Sequence, residues 1–134
     1  MSADTLKLAA DAARSNAYAP YSGFHVGAAI RASSGNVYAG ANVENASFTV
    51  GICAERSAMA AAVSAGDTQF DEIVLVSDAN EPVVPCGACR QALSEFAPEL
   101  RVVSHGLNGK TAEWSLAELL PQQFRLNESN GISK

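Results

Sequence analysis

The strongest constraint on the fold is a short run, Ile73-Val74-Leu75-Val76, apolar without a break and bounded by polar residues. A strand with no polar face has no side to give to water, so it belongs inside a sheet covered on both faces. Helices supply the cover, and the sequence holds them on both sides of the run. Residues 4–16 place Leu6, Ala9, Ala10, Ala13 and Ala17 at helical spacing with Asp11 and Arg14 opposite, which predicts an amphipathic first helix. It stops before Tyr18-Ala19-Pro20, because the residue preceding a proline is pushed out of the α region. Residues 24–32 and 37–41 are β-compatible, and the join Ser33-Ser34-Gly35-Asn36 makes them a hairpin.

Residues 53–65 predict an alanine-rich helix, apolar all the way round from Ala58 to Val63. Such a helix is normally buried on every side, so one side is expected on the sheet and another against a partner chain. Residues 86–96 return to helical spacing through Cys89, Ala92, Leu93 and Phe96, and Pro98 closes them. Residues 100–104 read as a short strand and Asn108-Gly109 as a turn. Ser115 and Glu118 match a capping box, so a short last helix starts there, before Pro121. The order helix, hairpin, helix, strand, helix, strand argues for one α/β sandwich. No repeat, linker or second composition regime divides the 134 residues. One domain is expected over residues 1–126, followed by a flexible polar tail at 127–134.

Charge and cysteine content exclude several classes. Nine basic residues stand against 14 acidic ones, a net charge of −5. A protein that grips nucleic acid needs a clustered basic face, so neither a nucleic-acid partner nor a polynucleotide substrate is expected. Only 17% of residues are charged, against about 25% in an average soluble domain. That deficit fits a surface partly covered by another subunit. The first twenty residues lack the pattern of a signal peptide, and the longest weakly polar run is half a membrane span, so a cytoplasmic protein without a membrane partner is expected. Three cysteines cannot all pair, which argues against a disulfide scaffold.

Those cysteines carry the chemistry. Pro85-Cys86-Gly87-Ala88-Cys89 is a C-x-x-C opening a predicted helix, a spacing common to metal sites and thiol redox centres. A redox reading leaves Cys53 unexplained, and Cys53 also opens a predicted helix. Thiols at helix N-termini are biased towards thiolate, the metal-binding form. Three thiolates at two helix starts make a candidate Zn²⁺ site with its fourth position vacant, the mark of catalytic rather than structural zinc. Taken singly, each cysteine reads as a core filler. A closed structural site with His25 or His105 as fourth ligand is the other alternative. Glu55 separates them. By itself it would be a solvated first-turn carboxylate favoured by the helix dipole. Here it completes C-x-E…P-C-x-x-C, a pattern in which zinc deaminases use the Glu as general acid and base and not as a ligand.

With these residues in place, the chain resembles the small homotetrameric zinc-dependent cytidine deaminases. The resemblance runs through Tyr18-Ala19-Pro20-Tyr21-Ser22, Phe24-His25-Val26-Gly27-Ala28, Asn42-Val43-Glu44-Asn45-Ala46, Cys53-Ala54-Glu55-Arg56 and Pro85-Cys86-Gly87-Ala88-Cys89-Arg90-Gln91, and ends at Leu119-Leu120-Pro121 and Phe124. It implies a three-layer α/β/α sandwich with a mixed sheet of about five strands. It implies that Cys53, Cys86 and Cys89 hold zinc and that Glu55 shuttles the proton. Asn42 and Glu44 are similar to a pair that binds the ribose 3′-hydroxyl, and Phe24 and Phe124 to the aromatic walls of the nucleoside pocket. Ala46, Phe48 and Ala54 complete the implied substrate-binding set, with Phe124 and the 46–48 region expected from neighbouring subunits of a homotetramer.

The implied reaction is hydrolysis of cytidine and 2′-deoxycytidine to uridine and 2′-deoxyuridine plus ammonia, a step of pyrimidine salvage. Zinc lowers the pKa of bound water from about 15.7 to about 7, and the hydroxide attacks C4 while Glu55 carries the proton to N3. Three thiolates leave the Zn²⁺ site with a net charge of −1, so a cation is expected beside the sulfurs. Arg56 is the candidate, with Arg90 in the same role on a weaker claim; otherwise Arg56 is a surface cation. Asn42 and Glu44 alternate by two and share a face of an extended segment, although alone they would read as a polar turn. Phe24 and Phe124 would by default be core aromatics, but a cytosine ring needs an apolar wall.

One position departs from the family pattern. Phe48 stands where many relatives have Tyr, so tolerance at the sugar or at N4 is expected to differ. The alternatives are therefore a deaminase of a modified or N4-substituted cytosine nucleoside, such as a nucleoside antibiotic, and a non-catalytic zinc-stabilised interaction domain.

Overall fold

In the computed structural model, which describes residues 3–126, helix α1 (Ala3–Arg14) leads into the hairpin β1 (Val26–Ala32) and β2 (Val37–Ala41). A 3-10 turn at Phe48–Val50 precedes α2 (Ala54–Ser64), which is followed by β3 (Phe70–Ser77), α3 (Gly87–Ser94) and β4 (Arg101–His105). The chain closes through β5 (Thr111–Ser115) and α4 (Leu116–Leu119). The tail expected at 127–134 lies outside the described residues.

The five strands form one sheet in the order β2-β1-β3-β4-β5. Only β3 and β4 are parallel, joined through α3, and the other neighbours are antiparallel. The apolar run 73–76 lies at the centre, as its composition demands, and every residue of β3 except Asp71 is buried. Alternation along the strands sorts the core into two halves. On one face Ala29, Val74, Val76 and Val103 meet Leu6 and Ala10 of α1. On the other, Ala28, Ile30, Ile73, Leu75 and Val102 meet Ala54, Ala58 and Ala62 of α2 and Leu93 of α3. Each large aliphatic side chain so buried contributes about 1.5–3 kcal/mol. This is the three-layer α/β/α sandwich with a mixed five-stranded sheet.

Strand β5 has no counterpart in the hydropathy pattern. Its sequence Thr-Ala-Glu-Trp-Ser is mostly polar, and it lies at a sheet edge with only Ala112, Trp114 and Ser115 half-buried. Pairing with β4 and the packing of Trp114 on the main core hold it. The capping box does form: Ser115 takes the Glu118 N–H, and the Glu118 side chain takes the Ser115 N–H. Within this single chain α2 is not buried all round, since Ala58 and Ala62 are covered while Ala60 and Ala61 are exposed.

Two glycines set how closely the helices sit on the sheet. A Cβ on Gly27 would lie 1.8 Å from the Ala10 carbonyl oxygen of α1. On the opposite face, a Cβ on Gly40 would lie 2.5 Å from the Ala58 nitrogen of α2. The neighbour at Gly40 is backbone, so it yields only by moving the helix that begins at Cys53. Gly40→Ala is therefore expected to cost about 1–3 kcal/mol of stability. Thermal unfolding, with zinc content measured on the same preparation, checks it; an unchanged melting temperature would contradict this packing.

Candidate metal centre and active site

Two helix starts converge at the carboxyl end of β3, the side of an open α/β sheet where ligands usually bind. Cys53 is the N-cap of α2 and Cys86 the N-cap of α3, both with extended backbone. An N-cap side chain ordinarily takes a backbone amide hydrogen. Neither cysteine does. Cys89, three residues into α3, returns to the same side, and the three sulfurs lie within 4.8 Å of one another.

The donor set fits zinc. The sulfurs of Cys53 and Cys86 are 3.8 Å apart, the separation of two corners of a tetrahedron whose metal–sulfur bonds are about 2.3 Å. No histidine joins them among the described residues. His25 Nδ1 is 2.7 Å from Asp78 and His105 Nδ1 is 3.0 Å from the Thr111 hydroxyl, so neither serves as the fourth ligand of a closed site.

The thiols are electrostatically unequal. A hydrogen bond from Cys89, with further help from Arg56 and Cys86, outweighs burial and holds the Cys53 thiol down to about 5. The bond to the Cys53 thiolate and burial push the Cys89 thiol far up. A metal ion must displace that proton, so binding releases protons. Arg56 Nη2 is 4.0 Å from Cys53 Sγ, and the cysteines raise the pKa of its guanidinium. Arg56 thus lies where the expected cation belongs. Arg90 bonds to backbone: Nε donates to the Pro85 carbonyl at 2.8 Å and Nη1 to the Leu119 carbonyl at 3.0 Å. It braces the loop ahead of Cys86, because the carbonyls at the end of α4 and before α3 face it.

Glu55, the second residue of α2, is 6% exposed. Burial, reinforced by the charge of Cys53, lifts its carboxyl to about 7 despite the opposing pull of Arg56. It lines a cavity of about 740 Å³ whose wall also includes Cys53, Cys86 and Arg56, within the range of small-molecule sites.

The remaining cavity residues come from the β2 end and its loop. Val43 exchanges both backbone hydrogen bonds with Ile52, so the loop between them returns directly to Cys53. This places Asn42 and Glu44 over the same cavity as the sulfurs, with Phe24, Phe48 and the buried Ala54. Glu44 accepts hydrogen bonds from the Tyr21 and Ser22 amides and the Ser22 hydroxyl. The Ser22 hydroxyl leads in lowering its pKa and keeping it ionised. Ala46 is exposed and outside the lining, and Phe124, 59% exposed, is also outside it. Phe48 lines its own chain's cavity while 85% exposed. Val83 and Val84 also line it and were not among the expected residues. The one signal for them is a pair of branched apolar residues directly ahead of Pro85-Cys86.

Cys89→Ala is expected to abolish stoichiometric zinc binding, since it removes one of three donors. Elemental analysis of purified protein checks this; retention of one zinc per chain would remove Cys89 from the ligand set.

Comparison with known proteins agrees with this geometry. Residues 2–111 match the family described as the cytidine and deoxycytidylate deaminase zinc-binding region. A cytidine deaminase of Halalkalibacterium halodurans is 44% identical over 119 residues, 88% of this chain and 90% of that protein. A blasticidin-S deaminase of Bacillus cereus is 38% identical over 111 residues, 77% of this chain and 79% of that protein. The crystal structure of cytidine deaminase from Burkholderia pseudomallei superposes with a TM-score of 0.89 at 45% identity, covering 92% of this chain and all of that one. With three thiols converging beside a buried glutamate in the same fold, this chain belongs to the zinc-dependent cytidine and deoxycytidylate deaminase family.

Proposed function

We propose that the protein hydrolyses cytidine and 2′-deoxycytidine to uridine and 2′-deoxyuridine plus ammonia. The observation that carries this reading is the buried Glu55 carboxylate on the wall of the cavity that Cys53 and Cys86 also line. Zn²⁺, when held by Cys53, Cys86 and Cys89, supplies Lewis-acid activation of a water molecule. Glu55 takes one proton from that water and delivers it to ring N3 as the water oxygen bonds to C4. It then takes the remaining proton from the new C4 hydroxyl and passes it to N4, so that the C4–N4 bond breaks and ammonia leaves. Its burial keeps the carboxyl between its two protonation states near neutrality, which suits a group that must both accept and donate. Arg56 offsets the negative charge of the thiolates.

The other lining residues bear on the substrate. Phe24 offers an apolar wall to the cytosine ring, and Asn42 and Glu44 offer hydrogen bonds to the sugar 3′-hydroxyl. Among the lining residues Arg56 is the one cation, and it is engaged with the thiolates, while Glu44 and Glu55 are acidic. A nucleoside therefore suits this cavity better than its monophosphate. Phe48 adds a hydrophobic rim without a hydroxyl, which favours activity on N4-substituted or otherwise modified cytosine nucleosides as a second reading. The 38% identity to a blasticidin-S deaminase supports that reading.

Assembly follows from the same residues. Phe48 and Val50 stand 85% and 64% exposed, and Phe124 lies outside its own chain's cavity. A homotetramer in which Phe124 completes a neighbour's site, and the neighbour in turn packs on the exposed 46–50 segment at the mouth of this one, gives these side chains a burial partner. The exposed Ala60 and Ala61 of α2 are then its subunit seam. Residues 1–126 act as one catalytic domain. Free thiols require a reducing compartment, which supports a cytoplasmic location.

Glu55→Gln is expected to retain zinc and lose about 10²–10⁴-fold in turnover, followed as loss of the cytidine absorbance band. Near-full activity would refute the mechanism. A panel of cytidine, 2′-deoxycytidine, cytidine monophosphate and an N4-substituted cytidine, run on wild type and Phe48→Tyr, tests the substrate assignment. Identical profiles for the two proteins would remove Phe48 from it. Sedimentation at a mass other than four chains would exclude the tetramer.

A further inference from the structure

The Phe24 wall of the cavity belongs to an irregular segment whose shape is held by side chains. Glu44 takes the amides of Tyr21 and Ser22, and the Ser22 hydroxyl takes the Phe24 amide at 3.0 Å. Asn42 then bridges the next stretch: its Oδ1 accepts from the Val26 amide and its Nδ2 donates to the Phe24 carbonyl, both at 2.9 Å. The residue between them, His25, is held by Asp78. Asp78 Oδ2 accepts from the His25 amide at 2.8 Å and lies 2.7 Å from ring Nδ1, and the Asp78 amide donates to the His25 carbonyl at 3.1 Å. Because an ionised carboxylate only accepts, the His25 ring proton sits on Nδ1.

Asp78 is itself anchored from both sides. It follows directly on β3, and its Oδ1 takes Arg14 Nη1, at the end of α1, at 2.8 Å. Burial opposes its charge, but the hydrogen bonds from His25 and Arg14 keep the carboxyl below the usual carboxylate range. Asp78 is not among the residues that line the cavity.

An Asn carboxamide offers two N–H groups and two oxygen lone pairs. In Asn42 one of each is committed to Phe24 and Val26, so its plane turns with that segment and its second pair is left for a ligand. We propose that Asp78 is a positioning residue for the deaminase site: by pinning His25 it fixes Phe24 and Val26 and so aims the Asn42 amide at the sugar 3′-hydroxyl. This rests on the reading of Asn42 as sugar-binding.

The test compares cytidine with 3′-deoxycytidine, which lacks the group Asn42 would meet, on wild type and Asp78→Asn. The neutral amide keeps one acceptor oxygen: turned to His25 it loses Arg14, and turned to Arg14 it loses both the His25 amide and the ring contact, so the anchor weakens in either orientation. KM for cytidine is expected to rise about 3- to 10-fold, the worth of one hydrogen bond, with kcat largely held. KM for 3′-deoxycytidine is expected to change less than about 2-fold, with zinc content unchanged. Equal losses on both substrates, or no loss on either, overturn the inference. A wild type that treats the two substrates alike overturns the Asn42 assignment and the inference with it, and one that leaves cytidine intact overturns the reading of the whole site. If Asp78→Asn does not fold, His25→Ala keeps the Asp78–Arg14 tie and is read against the same pair. A selective loss on cytidine supports the proposal, and an equal loss overturns it.

Discussion

The site depends on the close seating of α2 on the sheet at Gly40. That contact has no room for a Cβ, so the first turn of α2 has one position relative to β2. Half of the site is referred to that position. Cys53 caps the helix, Glu55 lies in its first turn, and Asn42 and Glu44 continue from the strand beneath it. The opposite glycine, Gly27, does the same for α1, whose terminal Arg14 reaches Asp78. Close backbone packing on both faces of the sheet thus brings the cysteine cluster and the polar pair Asn42 and Glu44 to the same cavity.

The second organising element is the pair of helix N-termini. Both caps are cysteines that leave their helices' amides unclaimed. The helix ends therefore lend positive potential to sulfur rather than being satisfied by a cap oxygen. Arg56 adds a full charge on the same side. The unequal titration of Cys53 and Cys89 follows: one thiol in the cluster ionises readily, and its charge makes the next harder to ionise. The burial that makes Glu55 hard to ionise is part of the same enclosure.

Much of this was legible in the residues alone, and for physical reasons. The run at 73–76 can only be central, because none of its side chains tolerates water. The capping box at Ser115–Glu118 is a local hydrogen-bond exchange that needs no tertiary contact, and it forms as read. The C-x-x-C spacing puts two sulfurs on one side of a helix start whatever surrounds it. Strand β5 was not legible, since an edge strand with a polar face carries no hydropathy signal and exists through pairing with β4. The partners of Arg90 were not legible for a similar reason: adjacency to a ligand in sequence says nothing about which carbonyls a long side chain will meet.

By itself the sequence determined the class of fold, the metal-binding residue types and the glutamate beside them, because helical and strand periodicity and ligand chemistry are local properties. Tertiary structure alone decided that Cys53, more than thirty residues before Cys86, reaches within 3.8 Å of it. It also decided that His25 belongs to Asp78 and not to the metal, and that Val83 and Val84 join the cavity while Phe124 and Ala46 stay outside it. These are distances across the fold. They follow from how closely two helices sit on the sheet, and no spacing along the chain encodes them.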